Sequence, residues 1–159
     1  ASGAGRLAAL LRDCVAEGPA LGFLPPLGLA AARDYWQQRV TEVALGARVL
    51  LVAWVDGTLA GCVMLRLETA PDQPHAAHVQ KLMVAPALRR RGVGRRLMLA
   101  AEAEARAAGR SLLTLSGRAG DPAEALYRAL EWGECGRIAG FALNAAGGFE
   151  DEVFFAKRV

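Results

Sequence analysis

Residues 89–96 read Arg-Arg-Arg-Gly-Val-Gly-Arg-Arg, between an apolar run, Val79–Val84, and an alanine-rich segment with helical periodicity. A strand, a basic loop with two closely spaced glycines and a helix start together suit phosphate binding. Glycines let the backbone approach an anion, and the first N–H groups of a helix have no partner within it. Arginine guanidinium groups add bidentate donors and positive charge. We therefore predict an anion site here.

The positive charge of the chain is local. The formal net charge is +3, and five arginines fall within residues 89–96. A nucleic-acid-binding module would spread its basic residues along a face, often with interleaved aromatics, whereas the flanks of this cluster are apolar. A dinucleotide-binding loop would need a third glycine after Gly94, and a phosphate loop of the Walker type would need a lysine there. We therefore expect one anionic ligand and no nucleic acid, with a non-enzymatic nucleic-acid-binding module that uses residues 89–96 as a distant alternative.

Composition narrows the class of protein further. With 159 residues, 53% hydrophobic and 22% charged, the chain is typical of one globular domain, which we predict over residues 1–159. No apolar run approaches about 18 residues, so we expect no membrane span. Cys14, Cys62 and Cys135 are too widely spaced for a metal site and suggest buried or inert thiols in a reducing cytoplasm.

The periodicities predict alternating helices and strands, α-α-β-β-β-α-β-α-β-β, in one α/β fold with a mixed sheet. Gly18-Pro19 should end the first helix, and Asp121-Pro122 should start the last one, with Asp as N-cap. The predicted helices are 5–17, 29–45, 92–108 and 121–130, and the predicted strands are 48–55, 58–68, 78–84, 111–116, 137–143 and 149–157.

Two segments carry a family resemblance. Arg89, Gly92 and Gly94 give the pattern Arg-x-x-Gly-x-Gly directly after a strand, and residues 123–132 form a helical segment with a Leu126-Tyr127 pair and an aromatic end. Over roughly residues 5–159 the chain resembles the GCN5-related N-acetyltransferases. Residues 78–84, 120–127 and 136–141 look most like the tabtoxin-resistance acetyltransferases. The resemblance implies acetyl-CoA as cofactor and a mostly antiparallel sheet flanked by helices, which some schemes class as α+β.

The chain also departs from the family pattern. His78 stands where many members carry a glutamate, and Ser116 stands where some carry a carboxylate. The usual asparagine is replaced by Gly120 or Asp121, and the common Gly-Phe pair is Glu131-Trp132. These changes leave cofactor binding intact and leave the identity of the general base open.

The resemblance assigns roles residue by residue. The Leu82 N–H would stabilise the developing oxyanion, and Tyr127 would donate to the departing thiolate. Histidine titrates near neutrality, so His78 is a candidate base for the attacking ammonium group, with a water relay or Tyr127 as alternatives. The predicted cofactor-binding residues follow the strand, the loop and the last helix: Leu82, Met83, Val84, Arg89, Arg90, Arg91, Gly92, Val93, Gly94, Arg95, Tyr127 and Arg128.

The acceptor is the least determined part. We expect direct transfer to a primary amine of a small molecule, with a protein or peptide amine as the alternative. Residues 18–36 and 69–76 should form the acceptor pocket, with Phe23 and Tyr35 as candidate wall residues and Trp36 in the core. The sequence does not decide the oligomeric state, and a homodimer is left open.

Overall fold

The computed structural model describes residues 3–18 and 21–159, so the predicted helix stop at Pro19 lies outside the described residues. Element order within those ranges follows the prediction. The helices are α1 (Gly3–Ala16), α2 (Leu29–Ala44), α3 (Val93–Ala107) and α4 (Pro122–Ala129), and the strands are β1 (Arg48–Val55), β2 (Thr58–Leu67), β3 (Ala76–Val84), β4 (Leu112–Arg118), β5 (Gly133–Leu143) and β6 (Phe149–Arg158).

The described strands form one six-stranded sheet in the order β1-β2-β3-β4-β6-β5. Each neighbouring pair is antiparallel except β3 and β4, which are parallel. A parallel pair needs a crossover, and α3 supplies it between β3 and β4. The predicted mixed, mostly antiparallel sheet is therefore confirmed.

Each face of the sheet carries its own core. Val79, Leu97 and Leu113 belong to one buried cluster, which joins β3 and β4 to α3. Leu11 and Trp36 belong to a second cluster, which packs α1 and α2 against the other face. Trp36 is fully buried, as the sequence predicts for a core residue. Because side chains alternate across a strand, the even-numbered residues of β3 near its start lie on the face that α1 and α2 cover.

Strand β5 departs from its predicted bounds. It begins at Gly133, four residues before the predicted Arg137. Every residue of β5 except Ala142 is exposed, and its pairing with β6 is interrupted by two irregularities. Strand β5 therefore lacks the alternation of buried and exposed residues on which strand prediction depends. Strand β3 likewise starts two residues early, at Ala76, because two buried alanines carry little strand propensity.

One buried carboxylate ties three elements together. Glu102 of α3 is 3% exposed and accepts hydrogen bonds from Lys157 of β6 at 2.9 Å and from the Trp132 indole at 3.2 Å. Lys157 also donates to the Leu130 carbonyl at 2.7 Å. This network holds the end of α4 and the start of β5 against α3. A buried charge of this kind is tolerated only while its partners remain in place.

We expect Lys157→Met to lower the free energy of unfolding by about 3 kcal/mol, since it leaves the buried Glu102 charge with only the exposed Arg106 guanidinium, 3.9 Å away, as a counter-ion. The double variant Glu102→Gln/Lys157→Met removes both charges and keeps an acceptor for Trp132, so it should recover part of the loss. Urea unfolding monitored by circular dichroism measures both. A double variant that is no more stable than Lys157→Met would show that the buried charge is not the cause.

Candidate functional site

The parallel pairing between β3 and β4 is short, and the two strands separate after it. The ladder between β3 and β4 consists of Ala76, Ala77 and His78 paired with residues 112–114. Beyond this point β4 continues to Arg118 paired with β6, and β3 continues to Val84 paired with β2. The edges of β3 and β4 that face each other are therefore open from residue 79 onward. The gap between them is the candidate site.

A bulge in β3 contributes to the separation. On the β2 side, Cys62 pairs with Met83 and Met64 pairs with Gln80, so Lys81 and Leu82 together oppose the single residue between Cys62 and Met64. Lys81 has a φ of 53°, a left-handed conformation that is rare for a residue with a side chain. Such a bulge bends a strand and re-aims its side chains.

Gly61 makes room for this bulge, and the sequence reasoning missed it. A Cβ at residue 61 would overlap the carbonyl oxygen of Met83 and lie 3.1 Å from the Leu97 side chain. The backbones of β2 and β3 therefore approach each other closely only because residue 61 has no side chain. The available signal was a glycine inside an otherwise apolar strand, which marks a bulge or a close backbone approach.

The cleft between β3 and β4 has walls from both halves of the sheet. β3 contributes four consecutive residues from Val79 to Leu82, and α4 contributes Tyr127 from the opposite side. The remaining lining residues come from the segment before α2, the end of β4, α4 and β6: Leu21, Ser116, Gly117, Arg118, Asp121, Ala123, Glu124 and Phe155. The predicted donor pair, Leu82 and Tyr127, thus lines one cleft.

The arginine-glycine loop lies at the end of β3. After Val84 the chain makes a short 3-10 turn, Pro86–Leu88, and α3 begins at Val93 with Gly92 as its N-cap. Gly92 has a φ of 78° and Arg90 a φ of 64°, so the loop turns sharply just before the helix. The first N–H groups of a helix have no partner within it, so those of α3 are available to an anion at this loop.

The loop arginines differ in what they contact. Arg89, Arg90, Arg91 and Arg95 are exposed, which leaves their guanidinium groups accessible to a ligand. The Arg89 Nε donates to the Val84 carbonyl at 3.3 Å, so this side chain folds back toward β3. Val93 is buried, and a Cβ at Gly94 would lie 3.5 Å from the Leu126 side chain. Val93 and Gly94 therefore pack α3 against α4 and the sheet.

Tyr127 is held rigidly beside the cleft. Its side chain is 7% exposed, and its ring packs against Trp132 and Phe155 with centroid distances of 6.3 and 5.7 Å. Burial, with the negative charges of Asp121 and Glu152, raises the pKa of Tyr127 to about 12. The hydroxyl therefore stays protonated at neutral pH and acts as a hydrogen-bond donor.

Arg128 is engaged elsewhere. Its guanidinium forms ion pairs with Glu124, at 2.9 Å, and with Glu134, and it lies 5.3 Å from the centroid of the Phe155 ring. Arg137 binds the same two carboxylates. The side chain predicted to reach a phosphate thus belongs to an ion-pair network between α4 and β5, and its contact with a ligand stays a prediction.

Comparison with known proteins agrees with this geometry. Residues 20–132 match the family model of the acetyltransferase (GNAT) family. The chain belongs to this family, whose cofactor is acetyl-CoA. It is 34% identical over 108 residues to an uncharacterized N-acetyltransferase from the hisH-hisA intergenic region of Azospirillum brasilense, a match that covers 67% of this chain and 62% of that relative.

Solved structures share the fold of this GNAT protein. A putative acetyltransferase of Salmonella typhimurium, yncA, solved with acetyl-CoA, superposes with a TM-score of 0.79 at 17% identity, covering 99% of this chain and 90% of that one. A ribosomal-protein-alanine N-acetyltransferase of Brucella melitensis gives a TM-score of 0.79 at 23% identity, covering 98% and 94%. At such identities the likeness shows the fold alone.

The candidate base lies at the closed end of the candidate cleft. His78 belongs to the last β3–β4 pair, and its Nδ1 is 2.8 Å from the Thr114 hydroxyl. It does not line the cleft directly. Burial, with the positive charges of Arg66 and Arg48, lowers the pKa of His78 and outweighs the opposing effect of Glu68. The imidazole is therefore neutral at pH 7, the form that can accept a proton.

Another departure from the family pattern has a visible backbone cost. Glu131, which replaces the common glycine after α4, has a φ of 64°. The left-handed region costs a residue with a side chain on the order of 1 kcal/mol. Trp132 follows it and packs on Tyr127, so the chain keeps the turn that places this aromatic beside the cleft.

Two of the three cysteine thiols are poor nucleophiles. Cys14 and Cys62 are buried, and burial raises the pKa of each thiol, so neither is a ready nucleophile. Cys135 is exposed on β5.

Among residues 3–18 and 21–159 no cluster of potential ligands suits a metal ion. Over the same ranges, no helix has both the length and the apolar character that a membrane crossing requires.

The lowered pKa of His78 determines the direction in which stability changes with pH. Between its folded pKa and the ordinary value of about 6.5, the unfolded chain binds a proton that the folded protein does not, so stability at this site falls as the pH drops below about 6.5. We expect the His78 resonance, assigned by its loss in His78→Gln, to titrate below 6.5 in an NMR pH series. A midpoint at or above that value would contradict this environment.

Proposed function

We propose that this protein transfers the acetyl group of acetyl-CoA directly to a primary amine of a small molecule while both substrates are bound. The observation that carries the proposal is the cleft between β3 and β4, which is lined by both Leu82 and Tyr127. The cleft combines an unpaired strand edge with a hydrogen-bond donor, and the candidate anion site follows where β3 ends. These are the three features that a CoA thioester needs.

The open edge of β3 fits the cofactor. Backbone N–H and C=O groups on an unpaired edge need partners, and the amide groups of the pantetheine arm can supply them in a strand-like way. We assign this pairing to the main-chain groups of Leu82 and Val84, which flank Met83. Arg89 and the amides of residues 91–95 would bind the pyrophosphate, because the start of α3 favours negative charge.

Three groups of the chain promote the transfer itself. The Leu82 N–H donates a hydrogen bond to the acetyl carbonyl oxygen, where negative charge develops as the amine attacks. His78, directly or through a water molecule, accepts the proton that the ammonium group must lose before it can attack. The amine attacks the thioester directly, because none of Cys14, Cys62 and Cys135 lines the cleft, where a covalent acyl intermediate would have to form.

Tyr127 then serves the leaving group. A thiol has a pKa of about 8.5, whereas burial raises the pKa of Tyr127 to about 12. Full proton transfer from the phenol to the thiolate is therefore uphill. Tyr127 instead donates a hydrogen bond that stabilises the thiolate as it departs. The thiolate then takes up, through water, the proton that the attacking nitrogen loses.

A small acceptor is supported by the segment between α1 and α2, which covers one side of the cleft. Leu21 lines the cleft and is buried, and Phe23 packs edge-on against Tyr35 at 5.2 Å. The resemblance to tabtoxin-resistance acetyltransferases also favours a small amine-bearing metabolite or antibiotic. The alternative is a protein or peptide amine, the acceptor named for the Brucella melitensis protein of similar fold. A cytoplasmic setting is part of the same proposal.

We expect acetyl-CoA to raise the melting temperature, because a ligand that binds only the folded state stabilises it by about 2.7 kcal/mol at a hundredfold excess over Kd. Arg89→Met should weaken this shift, whereas Arg12→Met, which removes an exposed arginine on α1, should not. A thiol reagent then reports CoA release with small amines and with peptide amines. No thermal shift would refute the cofactor assignment, and release with peptides alone would favour the protein acceptor.

We expect Tyr127→Phe to lower kcat by about tenfold or more while the Kd for acetyl-CoA stays within about twofold, because the variant loses one hydrogen bond to a charged leaving group. Single-turnover acetyl transfer and calorimetric binding separate the two quantities. The ring and its packing on Phe155 remain in the variant, so a folding defect is not expected. An unchanged rate would remove the donor role.

A further inference from the structure

Lys81 is a basic residue on the side of the cleft that faces α2 and the segment before it, where we expect the acceptor to bind. It lies at the β3 bulge, immediately before Leu82, and it lines the cleft. Its ammonium group lies 5.5 Å from the ring centroids of both Phe23 and Tyr35, on the side covered by α2 and the segment before it. Among these three side chains only Lys81 can carry a positive charge.

This cation lacks a counter-ion in the part of the chain that the structure describes. No carboxylate there lies within 4.0 Å of the Lys81 ammonium, the distance that defines an ion pair. Burial comes first among the effects that lower the pKa of Lys81, followed by the positive charges of Arg39 and Arg48. A half-buried ammonium among like charges is costly unless an anion joins it.

The neighbouring arginines do not relieve the imbalance. Arg39 and Arg48 share a single carboxylate, Glu42, with an Arg39–Glu42 distance of 3.1 Å. Arg48 also donates to the side chain of Gln80, another lining residue, at 2.6 Å. Three cations close to Tyr35 therefore share one carboxylate, so positive charge exceeds negative charge around Lys81. The acidic lining residues Asp121 and Glu124 belong to the α4 side of the cleft.

We propose that Lys81 binds a carboxylate of the acceptor, so that the acceptor is a small amino acid-like molecule rather than a plain alkylamine or a polyamine. The inference rests on the proposed function, since it concerns the substrate of that cleft. A carboxylate would replace the counter-ion that the described residues do not provide. A polyamine would bring further positive charge to a positive wall, which electrostatic repulsion disfavours.

Phosphates of the cofactor are a poorer match for Lys81. The anion-binding loop starts after Val84, beyond the end of β3, whereas Lys81 directly precedes the residue assigned to the acetyl carbonyl. The cation therefore stands next to the reacting group, where the acceptor and not the pyrophosphate must lie. The rings of Phe23 and Tyr35 give the same region an apolar flank for the acceptor's carbon skeleton.

The test compares L-amino acids with their own amides, which keep the α-amine and lose the carboxylate. CoA release gives kcat/KM for each pair with the wild-type protein, Lys81→Met, Lys81→Arg and Arg12→Met. We expect the wild type to prefer the acid, and the acid-to-amide ratio to fall by about tenfold or more in Lys81→Met, as for one lost charged hydrogen bond. Lys81→Arg should retain part of the preference, and Arg12→Met should retain all of it.

Either of two results would overturn the inference. One is that the wild type shows no preference for acids over amides, whether because it prefers the amides or because it acetylates no amino acid. The other is an equal loss for acids and amides in Lys81→Met, which would give Lys81 a catalytic or structural role instead. Acetyl-CoA binding, measured by calorimetry on each variant, separates these results from failure of the proposed function. If the wild type does not bind acetyl-CoA, the proposed function fails and the inference fails with it.

Discussion

The early end of the β3–β4 ladder is the constraint on which the rest of the site depends. Parallel strands that stop pairing after His78 leave two rows of backbone groups facing each other across a gap. Such groups are costly when buried without partners, so the gap must admit water or a ligand. The bulge at Lys81, the close approach at Gly61 and the placement of Tyr127 all shape this one opening.

Local features of the site were readable from the sequence. The arginine-glycine loop is contiguous, and its glycines predict a sharp turn that the structure realises in the left-handed Gly92. Helix α4 begins after Asp121 as its Asp-Pro pair predicts. Each of these features depends on neighbours within a few residues, so a single sequence contains the whole signal. The family resemblance rests on the same short segments.

Long-range features were not readable. Lys81 meets the rings of Phe23 and Tyr35, which lie more than forty residues away in the chain. Arg128 forms an ion pair with Glu134 of β5, and the sequence-based prediction begins this strand after Glu134. The β3 bulge depends on pairing with β2, which periodicity within β3 does not encode. Contacts between elements decide these three cases, and local patterns carry no record of them.

The two strands that border the cleft also pack on the same buried cluster. Val79 of β3 and Leu115 of β4 belong to one buried cluster, together with Leu97 of α3. Protein interiors are packed as tightly as organic crystals, so the separation of the two strands is fixed by the volumes of these side chains. Exchanges at Leu97 or Leu115, neither of which lines the cleft, would therefore change the width of the gap between the two strands.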